Sequence, residues 1–289
     1  MKVPCPSGLI FRARKWRIGD ISELIDVKED DGSSLPKLMV ELAAEEVIEP
    51  GPYKFEDSKL DIQQLSLSDI AVANILIRVG TDPELLITPT CESCKKPQRS
   101  PKSIPLDEMP IYMASREGIE HLRTGVPIER QYPDGIMLQL KAVRGRDFKT
   151  LSKLQEQNPK YILEYQAVLH ISKVNAPELS EPLMLVPHIR EWYHKQSWRL
   201  RQEIEADIDE LWGGADQIYK FRCDHAECRT TQEQQVPLDQ TFYGLDDQVK
   251  QRRRQKRSSS MKSAGELMQT SSTPSSSEDQ ADSTSMSEG

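Results

Sequence analysis

The sequence predicts an α+β protein built from one unit used twice, each unit combining a strand hairpin, helices and a cysteine turn, the two packed with pseudo-twofold symmetry. Two internal matches and the spacing of the cysteines carry that prediction. Residues 7–24 (SGLIFRARKWRIGDISEL) align without gaps on residues 134–151 (DGIMLQLKAVRGRDFKTL). Gly8 then falls on Gly135, Leu9 on Ile136, Arg14 on Lys141, Arg17 on Arg144, Asp20 on Asp147 and Leu24 on Leu151. Ile104-Pro105-Leu106-Asp107 recurs as Val236-Pro237-Leu238-Asp239, at the interval that also separates Cys91 from Cys223. Matched features in one order point to duplication. The halves are expected at 1–133 and 134–244, with a tail at 245–289.

In each half a turn glycine leads into a strand-like segment, and an aspartate follows where a helix can start. Leu38, Leu42, Val47 and Ile48 follow Pro36 at helical spacing, and Pro50-Gly51-Pro52 closes that element. Ser68-Asp69 is placed to cap a helix carrying Ile70, Val72, Ala73, Leu76, Ile77 and Val79, with Gly80 as its stop. In the second half Pro159 suits the first turn of a helix running through Tyr161, Ile162, Tyr165, Leu169 and Ile171. One longer helix is expected from His188 to Leu211, closed by Gly213-Gly214. Leu85–Thr88, Ile218–Phe221 and Gln235–Leu238 read as strands flanking the cysteine pairs.

The tail divides by composition. Lys250, Arg252, Arg253, Arg254, Lys256 and Arg257 form a basic run, and from Ser258 onward almost nothing is apolar. Ordering entropy should outweigh burial there, so the tail is expected to be disordered. The basic run reads either as a solvated hinge or as a contact for an anionic partner. The whole chain, at −8, is repelled by bulk nucleic acid and anionic lipid. No stretch reaches the ~18 to 20 apolar residues of a membrane helix, and the start lacks a signal-peptide core. A cytoplasmic protein is expected.

Five cysteines in such a chain do not make a disulfide framework. Cys5 stands alone. Cys91-Glu-Ser-Cys94 puts two thiolates on one short turn, and Cys223-Asp-His-Ala-Glu-Cys228 offers two more between strands. Zinc takes four ligands tetrahedrally, so the economical reading is one structural zinc site of Cys91, Cys94, Cys223 and Cys228, each half a strand–helix–zinc-knuckle unit. His225 is an alternative ligand. A thioredoxin-like redox pair is the rival, but it wants its first cysteine at a helix N-terminus, and Lys95-Lys96-Pro97 is a poor helix start.

Catalytic candidates are thin. His121, His170, His188 and His194 are scattered, with no motif placing a nucleophile beside any of them, and no phosphate-cradling loop or nucleophile elbow is present. Four thiolates leave no open metal position for water. Glu203, Glu205, Asp207, Asp209 and Glu210 read as a solvated helix face. A non-enzymatic protein is expected.

These residues also carry a likeness. The Pro6-Ser7-Gly8-Leu9 opening, the helix ending over Ile75–Gly80, the Cys91/Cys94 turn, the Asp134-Gly135 strand, Leu211–Asp216 (LWGGAD) and the closing Cys223, Cys228, Val236-Pro237-Leu238 and Phe242 follow one another in a recognisable order. Over residues 4–243 the chain resembles the baseplate hub-assembly family of T-even-type contractile-tailed bacteriophages. Where relatives often show a tight Cys-Pro-x-Cys-Gly turn, this chain has Cys91-Glu-Ser-Cys94 and a longer Cys223-to-Cys228 interval. The resemblance implies a part in building the tail baseplate hub, as a structural component of the virion or as an assembly chaperone in the host cytoplasm. Its partners would be other hub or spike proteins. Trp192, Tyr193 and Trp198 are then candidate contact anchors, or else core residues of a long helix. A zinc-ribbon nucleic-acid adaptor using the 250–257 run is the second reading, and an oxidoreductase the third.

Overall fold

The chain starts on β1 (Lys2–Pro4), turns through Gly8 at φ 87°, and returns antiparallel as β2 (Ile10–Ala13). The computed structural model describes residues 1–17, 35–157, 162–236 and 242. The expected helix start at Asp20, the residues 237–239 of the repeated motif, and the tail with its basic run lie outside them. Helix α1 (Leu35–Ala43) follows, then β3 (Ala44–Glu49), which pairs with β2 and completes a three-stranded sheet in the order β1-β2-β3. Val47 and Ile48 were expected on a helix and instead lie in β3. Val47 is paired with Phe11, and sheet pairing overrides the helical spacing.

Helix α2 (Leu67–Thr81) is capped by Ser66, whose Oγ accepts from Asp69 N at 3.1 Å. The cap expected at Ser68-Asp69 is thus displaced, because Asp69 turns inward. Its carboxylate accepts from Ser7 N at 3.1 Å and from the Tyr53 hydroxyl, tying the β1–β2 turn to the helix. Gly80 does not stop this helix, which continues to Thr81. A Cβ at Gly80 would lie 2.2 Å from Met1 Sδ, so the glycine serves close packing rather than chain reversal. The hairpin of β4 (Glu84–Ile87) and β5 (Lys102–Pro105) carries the first cysteine pair on its loop.

After β6 (Ile111–Tyr112), α3 (Arg116–Thr124) runs between Ser115 and Gly125, the latter at φ 77°. The second sheet opens with β7 (Ile128–Gln131) and β8 (Met137–Leu140), joined through the Pro133–Gly135 turn. Asp147 accepts from Arg144 N at 2.9 Å just before α4 (Phe148–Gln157). Next come α5 (Ile162–Val168) and β9 (Ile171–Asn175), which gives the order β7-β8-β9. The helix predicted through Leu169 and Ile171 therefore ends early. Ile171 and Val174 are buried strand residues, while Pro159 and Tyr161 lie outside the described residues.

The single helix expected over 188–211 is two helices, α6 (Val186–His194) and α7 (Trp198–Trp212). Ser197 breaks the run by capping α7, its Oγ accepting from Leu200 N at 3.2 Å. Gly213, at φ 61°, ends α7 as expected. β10 (Gly214–Ala215) crosses back to pair with β6 of the first half. The hairpin of β11 (Ile218–Arg222) and β12 (Thr231–Gln235) follows, so the last strand lies four residues earlier at its start than the predicted 235–238.

Two apolar clusters hold these elements. The larger joins both three-stranded sheets to α2, α6 and α7 through residues such as Phe11, Ile70, Leu138, Ile189 and Ile204. The smaller joins the two hairpins to α1 and α2 through Met39, Ile75, Leu85, Ile104, Phe221 and Phe242. Both predicted halves thus fall inside one compact unit, Met1–Leu245. Among the described residues no helix is long and apolar enough to cross a membrane.

Candidate metal centre

The smaller cluster packs the β4–β5 and β11–β12 hairpins together and so brings their loops side by side. All four predicted ligands meet there. The Sγ atoms of Cys91, Cys94, Cys223 and Cys228 lie within 4.8 Å of one another. Cys91 and Cys228 are 3.6 Å apart, and Cys94 and Cys223 are 3.9 Å apart. A tetrahedron with zinc–sulfur bonds of ~2.3 Å has edges of about 3.8 Å. A disulfide would need ~2.0 Å, and all five cysteines are free. The donor set therefore fits a four-coordinate, thiophilic metal ion.

The two loops share their local geometry. In the first, Cys91 N donates to Lys96 O at 2.9 Å and the intervening Lys95 takes φ 58°. In the second, Cys223 N donates to Thr230 O at 2.9 Å and Arg229 takes φ 51°. In both, the left-handed residue follows the second cysteine directly, and the accepting carbonyl is one further on. The extra two residues of the Cys223–Cys228 turn are absorbed between the cysteines. There Cys228 N donates to His225 O at 3.0 Å.

Two glutamines complete the arrangement, and the sequence reading missed them. Gln98 Nε2 lies 3.6 Å from Cys223 Sγ, while its Oε1 accepts from Asp224 N at 2.9 Å. Gln232 Nε2 lies 2.8 Å from Cys91 Sγ, while its Oε1 accepts from Glu92 N at 2.9 Å. Each amide thus reaches the first cysteine of the opposite loop and the backbone N–H after it. Gln232 Nε2 also lies 3.2 Å from Ser93 Oγ and 3.1 Å from Thr230 Oγ1. The signal was present: each glutamine stands four residues after the second cysteine of its own pair.

The electrostatics favour a bound cation. Burial opposes ionisation of Cys91, but hydrogen bonding from the Cys94 backbone and the neighbouring thiols brings it down to about 5. Burial first, and then the neighbouring Cys91, Cys223 and Cys228 sulfurs, push Cys94 up to about 11. Hydrogen bonds from Thr230 lower Cys228. A divalent ion would relieve that mutual repulsion and hold all four sulfurs as thiolates.

His225 is directed elsewhere. Its Nε2 is 2.8 Å from Pro97 O, outside the group of four sulfurs. Cys5 is buried near Asp69, its Sγ 3.9 Å from Asp69 O. Cys91 lies on a turn, without the helix N-terminus on which a thioredoxin-like pair is placed.

The remaining candidates do not converge. His121 and His170 flank the buried Trp212 ring, at 5.1 and 6.0 Å between centroids. Burial depresses both imidazoles, His170 to about 4. His194 Nδ1 contacts Glu164 Oε1 at 2.6 Å. Trp192 and Tyr193 are core residues, each handing its polar atom to a carboxylate, Glu178 and Glu205 respectively. Trp198 is 65% exposed. The acidic face of α7 is less free than expected, since Glu205 and Asp207 accept from the Tyr193 and Tyr132 hydroxyls.

Compared with protein-family models, with curated proteins and with solved structures, the chain matches none.

Proposed function

We propose that this chain is a non-enzymatic component or assembly chaperone of a contractile phage tail baseplate hub, with its frame clamped by one zinc ion on Cys91, Cys94, Cys223 and Cys228. The meeting of four sulfurs, two from each half, within 4.8 Å carries the metal clamp, and the baseplate role rests on the resemblance over residues 4–243. A metal bound there crosslinks two hairpins whose cysteines Cys94 and Cys223 are 129 residues apart in sequence, and leaves no coordination position for substrate or water. Such an ion stabilises a shape. In zinc-finger peptides the apparent effect is ~10 to 16 kcal/mol, comparable to the whole net stability of a domain.

Duplication with pseudo-twofold symmetry accompanies this reading. Its supports are two antiparallel three-stranded sheets with the same strand order, two serine-capped helices of 15 residues, and two hairpins whose loops share their hydrogen bonds. A rigid frame of that kind suits recognition of partner subunits. Trp198, Tyr112 and Met113, at 65, 58 and 61% exposure, supply apolar anchors on its surface.

The test is to purify the tagged full chain with phage hub and spike proteins present, treat it with nuclease, and measure zinc on the same sample. Retention of hub or spike proteins with about one zinc per chain is the expected result. Failure to retain any of them, with a salt-dependent shift of DNA or RNA abolished by deleting residues 250–289, would instead establish the nucleic-acid adaptor.

A further inference from the structure

Gln98 and Gln232 stand outside the ligand set, yet each makes the same pair of contacts with the other's loop. Gln98 is 4% exposed, so its amide has no water to satisfy it and depends on Cys223 and Asp224. Gln232 reaches Cys91 and Glu92 in return. A carboxamide suits both contacts at once, for its oxygen accepts from a backbone N–H while its nitrogen donates to sulfur. Hydrogen bonds to a thiolate withdraw charge from it and fix the direction of its lone pairs.

We propose that Gln98 and Gln232 are reciprocal positioning residues of the metal centre, each setting the first thiolate of the opposite half. This rests on the zinc reading above. On this arrangement neither loop presents a finished pair of ligands by itself. Metal capture is thereby coupled to docking of the two hairpins, and one half cannot be loaded ahead of the other.

The discriminating substitutions are Gln98→Glu and Gln232→Glu, beside Gln98→Ala and Gln232→Ala, all in the full chain. Glutamate keeps the size and the oxygen that accepts from Asp224 or Glu92, but loses the N–H aimed at sulfur and brings a negative charge to it. Zinc affinity, measured by competition with a chromophoric chelator, should fall roughly 10- to 100-fold in each variant, more in the glutamates than in the alanines. Cobalt(II) loaded in place of zinc provides a readout that a packing role would leave alone. Its sulfur-to-metal charge-transfer band should shift in the glutamate variants even at saturation. Parental affinity and spectrum in both glutamate variants would overturn the proposal while leaving the zinc site standing. A parent protein that takes up neither zinc nor cobalt would overturn the metal reading itself, and this proposal with it.

Discussion

His170 shows how a single side chain links burial to stability. Its ring is stacked at 6.0 Å against Trp212, its Nδ1 meets Lys141 O at 3.0 Å, and burial brings it down to about 4 from an ordinary value near 6.5. The folded protein therefore binds fewer protons than the unfolded chain between these values. Stability is greatest above about pH 6.5 and falls as the pH is lowered towards 4, by about 3 kcal/mol for this group. The hydrogen bond to the Lys141 carbonyl and the Asp147 charge oppose that direction, while the Lys141 and His121 charges reinforce it. Urea midpoints at pH 7 and pH 5 should differ less in His170→Gln than in the parent. Gly118 makes a steric prediction, because a Cβ there would sit 1.9 Å from Leu211 O. Gly118→Ala should cost about 2 kcal/mol or more by forcing α3 away from α7, read as a lowered thermal midpoint. The four cysteines were legible because paired thiols beside strands are rare in a polar chain. The two glutamines were not, since glutamine is an ordinary surface residue until its cross-chain partner is known.

At the level of elements, the cysteine loops carry an avoidable cost. Lys95 and Arg229 both occupy left-handed backbone, which disfavours a residue with a Cβ by roughly 1–2 kcal/mol. Lys95→Gly or Arg229→Gly should each stabilise the protein, by about 0.5–1 kcal/mol after the greater entropy of glycine in the unfolded chain is counted. Chemical denaturation with metal held constant measures it. A loss of stability would show that these side chains do more than occupy the turn. The misplaced boundaries have a common origin in pairing across the chain. β3 follows α1 directly and β9 follows α5 after only the Leu169-His170 turn, and only their partners β2 and β8 make them strands. The α6–α7 break left a helical apolar pattern intact on both sides, and its one local sign was Ser197 in the cap position. The hairpins around the cysteines were easier, since Leu85 and Ile87 alternate with exposed neighbours.

For the whole molecule, the decisive quantity is what the metal contributes beyond packing. Both apolar clusters cross between the halves, so chelation should loosen the hairpins without dissolving the larger core. Dialysis against a chelator should lower the thermal midpoint by ten degrees or more, on the order of several kcal/mol, and re-added zinc should restore it. Cys91→Ser and Cys223→Ser should each lose the ion, and retention in either would reject a site shared between the loops. The α+β class and the nearness of the cysteine pairs were readable from the sequence, because both follow from patterning and residue chemistry. The cross-pairing of β6 with β10 was not, for a two-residue ladder leaves no periodic trace. The long interval within the cysteine cluster also bears on how the protein is made. Cys91 leaves the ribosome 137 residues before Cys228, a delay of roughly 7 to 27 s at 5–20 residues per second. Throughout that interval the nascent chain displays only one of the two cysteine loops, and the site can close only after Cys228 has emerged.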